Sequence, residues 1–210
     1  MKVTEKQLLR RLKETPLDLE LRIEYAAWLD QHAEPNKALL LRLAVEEAEL
    51  TCLRDDSTGP GLTDDQWTRL SEVRYSTMSL SHEIDSHWLV DVDPQLWIPN
   101  GLSELGMRAA RTIVEFVADE GWTYSGFGRA FLTPAEFDGG ETVYTRNAVL
   151  VVCHGEGLLD ASLGMAPGGD ALQERLCERL DEIGVWSELH DESTSMIHPD
   201  DYPGFAIGLG

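Results

Sequence analysis

Asp93-Pro94-Gln95-Leu96-Trp97-Ile98-Pro99-Asn100-Gly101 is where this sequence changes character. Pro94 and Pro99 push the residues before them out of the helical region, so no helix is expected to run through the stretch. Before it, apolar residues recur at helical spacing. After it, helical stretches alternate with short apolar runs of strand length. We therefore read residues 93–101 as a linker between a helical domain, 1–92, and an α+β domain, 102–210. The expected fold class is α+β: an N-terminal helical hairpin bundle, then a small α+β domain with two main helices packed on a four- or five-stranded sheet.

Upstream, Thr4 with Gln7 three residues on has the form of a capping box, and Leu8, Leu9 and Leu12 give the first helix its apolar side. Asp18 can cap a second helix carrying Leu21, Tyr25, Trp28 and Leu29. A third is expected from about Lys37 to Leu53, with Leu39, Leu40, Leu43 and Leu50 inward and Glu46, Glu47 and Glu49 outward. Asp55–Gly61 is a breaker cluster. Thr63 then opens a fourth stretch, expected to run to about Trp88 with Trp67, Leu70, Val73 and Ile84 apolar. Helices joined by such short turns pack as antiparallel neighbours.

Downstream, Ser103 caps a helix to about Glu120, which Gly121 stops. Trp122–Tyr124 and Arg129–Leu132 are short strand candidates around a Ser125–Gly128 turn. Thr133-Pro134-Ala135-Glu136 has the form of a helix start. Asn147–Cys153 is apolar enough to be a central strand. Asp170 is expected to cap a helix ending at Gly184. Val185–Leu189 and Gly204–Gly208 are the last strand candidates.

Composition excludes several functions. No window approaches ~18 consecutive apolar residues, so no membrane span is expected. The N-terminus lacks the apolar core of a signal peptide. Cys52, Cys153 and Cys177 have no metal-ligand spacing, and a cytoplasmic location is the simplest fit. The net charge is −21, from 38 acids against 17 bases, which argues against direct nucleic-acid binding through phosphate neutralisation. A solvated acidic face that keeps the chain in solution accounts for it, the sharper readings being a protein partner with a basic surface, a divalent cation or mimicry of nucleic acid.

The run Leu21-Arg22-Ile23-Glu24-Tyr25-Ala26-Ala27-Trp28-Leu29-Asp30-Gln31-His32-Ala33-Glu34-Pro35, followed by Ala38–Leu43, resembles the repeat-companion domain family of bacteria. That pattern is R-x-x-Y-A-D-W-L, a G-D-P turn, then A-E-F-I-R-L. Arg22, Tyr25, Ala26, Trp28, Leu29, Pro35, Ala38, Arg42 and Leu43 match it. Ala27 stands in place of Asp, Ala33-Glu34 in place of Gly-Asp, and Leu40 in place of Phe. His87-Trp88-Leu89 is similar to the family's closing segment, so the resemblance covers roughly residues 5–95. It implies an interaction or adaptor module with no catalytic residues, in which Arg22, Tyr25, Trp28 and Arg42 are the candidates for docking a partner.

Three groups of residues bear on chemistry. His82 and His87 are five apart, whereas a helical zinc site of the His-Glu type needs i and i+4. Arg129 with Gly126 and Gly128 could hold an anion, a hairpin turn being the alternative. His154, Glu156, His190 and His198 lie in expected loops after strands, where imidazole and carboxylate could meet a divalent metal. No catalytic residue and no cofactor is assigned beyond that possible metal. The function expected is a non-catalytic protein-binding or adaptor protein, such as an accessory component of a bacterial defence or signalling assembly. The alternatives are a metal-dependent hydrolase using the loop histidines, and an acidic inhibitor that mimics nucleic acid.

Overall fold

In the computed structural model the chain forms two compact units, one of Met1–Trp97 with Gly121–Gly128, the other of Ile98–Glu120 with Arg129–Gly210. The structure describes residues 3–55, 61–124, 129–139, 143–154, 157–164 and 168–202. The fold class is α+β, with N-terminal helices and a four-stranded antiparallel sheet. No helix among the described residues is long and apolar enough to cross a membrane.

The first unit contains α1 (Glu5–Glu14), α2 (Leu19–Gln31), α3 (Pro35–Asp55), α4 (Asp64–Ser81) and α5 (Ser86–Val92). Local capping sets most of the helix starts. The Gln7 carboxamide oxygen accepts the Thr4 amide at 2.9 Å, Asp18 accepts from the Leu21 amide at 2.9 Å, and Gln66 accepts from the Thr63 amide at 2.9 Å. The turn between α2 and α3 passes through Ala33, whose φ of 61° is left-handed backbone normally given to glycine.

α3 packs on α2 and α4 and is buried on most of its circumference, through Ala38, Leu40, Leu41, Leu43, Ala44, Val45, Ala48 and Leu50. Two expectations are corrected here. Leu39 is 47% exposed instead of inward, and Glu47 is buried instead of outward. A helix covered on two sides has no wide solvent face, so its inward and outward positions do not follow a single stripe.

The single helix expected over residues 63–88 is two. α4 stops at Ser81, and Asp85 starts α5 by accepting from the Trp88 amide at 3.0 Å. Short polar side chains compete with the helical ladder for backbone partners, and Ser81, Asp85 and Ser86 crowd this point. His82 and His87 therefore fall on different elements. Tyr25 ties the helices together, donating to Glu5 at 2.8 Å and accepting the Trp88 indole at 2.9 Å.

Within the expected linker, Pro94–Leu96 forms one 3₁₀ turn. Trp122–Tyr124 is not a strand but irregular chain in the first unit, with Trp122 and Tyr124 buried. The indole of Trp122 donates to Asp93 at 2.9 Å, so aromatic burial wins over strand propensity.

The second unit contains α6 (Glu104–Asp119), β1 (Phe131–Leu132), α7 (Pro134–Asp138), α8 (Val143–Arg146), β2 (Leu150–Cys153), α9 (Leu158–Leu163), α10 (Asp170–Asp181), β3 (Val185–Asp191) and β4 (Thr194–Pro199). The strand order is β1-β2-β4-β3. β2 is interior, pairing Leu150 with Ile197 and Cys153 with Thr194. α6 packs on β2 and β4, and α10 on β3. Gly106 lets α6 approach, since a Cβ there would lie 2.2 Å from the Val149 carbonyl oxygen.

His198 and Pro199, expected in a loop, end strand β4. The residue at the N-cap of α10 is Gly169, not Asp170, which is the first helical residue. The expected strand Gly204–Gly208 and the Ser125–Gly128 turn lie outside the described residues.

Candidate functional site

The loop histidines separate. His154 follows β2 just beyond Cys153, which pairs with Thr194. His198 lies four residues further along β4, about 13 Å away at ~3.3 Å per residue. Metal bonds are about 2 Å, so these two rings cannot share an ion. His190 sits on β3 near its bulge, with its ring edge-on to Phe137 at 5.8 Å. Glu156 lies outside the described residues. Among the described residues no group of three His, Cys, Asp or Glu is placed to hold a metal.

His154 instead joins two residues that sequence reading did not single out. Its Nδ1 is 3.1 Å from Asp160 of α9, and its Nε2 is 3.0 Å from the Ser195 hydroxyl of β4. The order of atoms is that of a nucleophile relay, but the setting is not. Ser195 and His154 are fully buried, and the hydroxyl also reaches the Leu163 carbonyl at 3.1 Å, a competing acceptor for its one proton. A hydroxyl in mid-strand with no exposure meets no substrate. The chain of contacts fastens α9 to β2 and β4, and Gly164 makes room for it, since a Cβ there would lie 2.2 Å from Asp160 Oδ1. Six and 41 residues separate His154 from these partners, so no local motif could have announced them.

His198 is buried against Trp186 and Tyr202, with ring centroids at 5.2 and 4.4 Å. Its Nε2 lies 3.4 Å from Glu188, and burial pushes its pKa below the ordinary value. Arg129 is engaged by Glu136 at 3.1 Å, and Glu136 also accepts the Thr133 amide in the cap of α7. The Thr133 amide, followed by Arg129 among other contacts, holds the Glu136 carboxyl below its usual range. The anion candidate is thus already paired with a carboxylate, and Gly126 and Gly128 lie outside the described residues.

Of the four docking candidates, two are core. Arg22 is fully buried and its guanidinium donates to the Pro16 carbonyl at 2.7 and 3.2 Å. Tyr25 is equally buried. Trp28 is half-buried, stacked on His32 at 3.6 Å with its indole donating to the Val3 carbonyl. Arg42 pairs with Asp30. The matched pattern therefore marks side chains that hold α1, α2 and α3 in place.

Arg22 belongs to a buried polar group in the first unit, with Glu47, Asp93 and Tyr124. Asp93 accepts the Gln95 amide and the Trp122 indole, each at 2.9 Å. Burial nonetheless pushes its carboxyl up to about 7. Glu47 accepts Arg74 Nε at 2.9 Å.

The first unit also presents an apolar face that solvent reaches. On α4, Leu70, Val73, Thr77 and Ser81 point inward. Trp67, Tyr75 and Met78 are 47%, 70% and 49% exposed. At 100° per residue they fall within an arc of about 80°, with Ser71 between them. Trp67, read from the sequence only as an apolar residue of this stretch, lies on this outer face. Its spacing to Tyr75 and Met78 was the available signal, since those three positions form a stripe separate from Leu70 and Val73.

Among the described residues of the second unit are two hollows of note. One, of about 580 Å³, is lined by Thr112, Glu115, Arg175, Glu178, Arg179, Glu182 and Ile183. Its arginines pair with Glu120 and Asp119. The other, about 140 Å³, is bounded by Glu188, Leu189, His190 and Met196. Neither has the largely apolar lining and size of a small-molecule site together. Comparison of the chain with family models, curated proteins and solved structures returns no match.

Proposed function

We propose that this chain is a non-catalytic protein-interaction component whose helical unit docks a partner protein. The observation that carries the reading is the exposed Trp67–Tyr75–Met78 face of α4. Exposed large aromatics are costly to solvate together; Trp, Tyr and Met are enriched at interfaces, and Trp and Tyr at their energetic centres. Two buried polar constellations support it by contrast. His154 with Ser195, and Asp93 with Trp122, are buried with their hydrogen bonds turned inward.

The resemblance of residues 5–95 to repeat-companion domains is part of the proposal, as is an accessory role in a bacterial assembly. Its matched residues would build the scaffold, and α4 would supply the contact surface. The test is capture from native lysate with the full chain and with a Trp67→Ala/Tyr75→Ala/Met78→Ala variant. A stoichiometric partner held by the wild type and lost by the variant is expected. A partner retained equally by both would refute docking through α4.

A further inference from the structure

Resting on that docking reading, we infer that the occupant of the α4 face is a basic amphipathic helix of a partner protein. Trp67 to Met78 spans eleven residues, about 17 Å at 1.5 Å per residue, which matches roughly three turns of a second helix laid along it. Such a helix would offer apolar side chains at i, i+3 or i+4, i+7 and i+11 to Trp67, Tyr75 and Met78.

Charge decides what surrounds those apolar anchors. Both arginines of α4 are already engaged by α3. Arg69 donates to Glu46 at 2.6 and 2.8 Å and to Glu72 at 3.2 Å, and Arg74 donates to Glu47 at 2.9 Å. Asp64 and Asp65, both exposed at the start of α4, take part in no ion pair among the described residues. Asp64 lies about 60° round the helix from Trp67, inside the arc of the face itself. The uncompensated charge beside the aromatic stripe is therefore negative, as is the whole chain at −21. Lysine or arginine flanking the partner's apolar residues would meet Asp64, with Asp65 a further 100° round the helix, whereas a glutamate-rich helix would be repelled.

A second copy of this chain is the poorer occupant. Antiparallel contact would set Asp64 and Asp65 against Ser79–His82, where no Lys or Arg stands. Parallel contact would oppose aspartate to aspartate, and both would join molecules of −21.

The test uses the full-length protein and three helical peptides with identical apolar spacing and polar positions filled by Lys, Gln or Glu. Binding is read by fluorescence anisotropy at low and near-physiological salt. The Lys peptide is expected to bind at least tenfold more tightly than the Gln peptide, to weaken with salt, and to lose tenfold or more with Trp67→Ala/Tyr75→Ala/Met78→Ala. Asp64→Asn/Asp65→Asn should cost several-fold. If the Gln peptide binds as tightly as the Lys peptide and is lost with the face variant, the basic partner is wrong while docking through α4 stands. If no peptide binds, or the Lys peptide binds the face variant as well as the wild type, both readings fall. A dimer in sedimentation that the face variant dissolves would overturn the inference in favour of self-association.

Discussion

Asp93→Asn tests the physical description of the helical unit in a way that can be worked through. Asp93 is buried, accepts from Gln95 and Trp122, and has its carboxyl raised from 3.8 to about 7, mainly by burial. The Arg22 charge works against that rise and Glu47 adds to it. Because the folded value is the higher one, the native state holds a proton that the unfolded chain has released. The stabilisation is therefore full below pH 3.8 and is lost as pH climbs through 7. Each unit is worth about 1.36 kcal/mol, so the whole window amounts to about 4 kcal/mol, of which about 2 kcal/mol falls between pH 5 and 7. Asparagine cannot ionise, but its NH₂ cannot accept the Trp122 indole, which costs about 1–3 kcal/mol at acidic pH. Urea unfolding of both proteins from pH 5 to 8, followed by tryptophan fluorescence, gives the difference with the other carboxylates cancelled. The wild-type advantage should shrink by about 2 kcal/mol by pH 7. A difference that stays flat within about 0.5 kcal/mol would refute a buried, protonated Asp93.

Three further outcomes follow from single sites. Ala33→Gly should stabilise by about 1 kcal/mol in the same assay, because left-handed backbone is strained for alanine and free for glycine. A loss of stability would remove the strained turn. Ser195→Ala should cost about 1–3 kcal/mol by leaving His154 Nε2 and the Leu163 carbonyl without their partner; an unchanged unfolding midpoint would contradict the network. Trp67→Ala and Tyr75→Ala should each change stability by less than about 0.5 kcal/mol, as befits surface positions, and a larger loss would assign them to the core.

What was legible beforehand was local. Thr4, Asp18, Thr63, Ser103 and Thr133 announced helix starts, because a cap needs only the next three residues. The apolar run ending at Cys153 announced β2 as an interior strand, whereas the antiparallel pairing of its neighbours rests on contacts that no single stretch carries. What was missed depended on distant contacts. His198 and Pro199 of β4 read as part of a polar loop until the aromatic pair Trp186 and Tyr202 surrounds His198. Glu47 reads as an outward acid until Arg74 meets it. The same limit governed the candidate sites. Arg22 and Tyr25 were conspicuous because they build the core, whereas the exposed stripe on α4 became visible only when Leu70 and Val73 were seen to face the other way.

The docking claim is most directly tested by hydroxyl-radical footprinting of the protein, free and in a complex recovered from native lysate. Trp67, Tyr75 and Met78 are expected to oxidise readily in the free chain and to be protected in the complex, while buried Tyr25 and Trp88 stay unlabelled in both. Equal oxidation of Trp67, Tyr75 and Met78 in the free and complexed protein would contradict it.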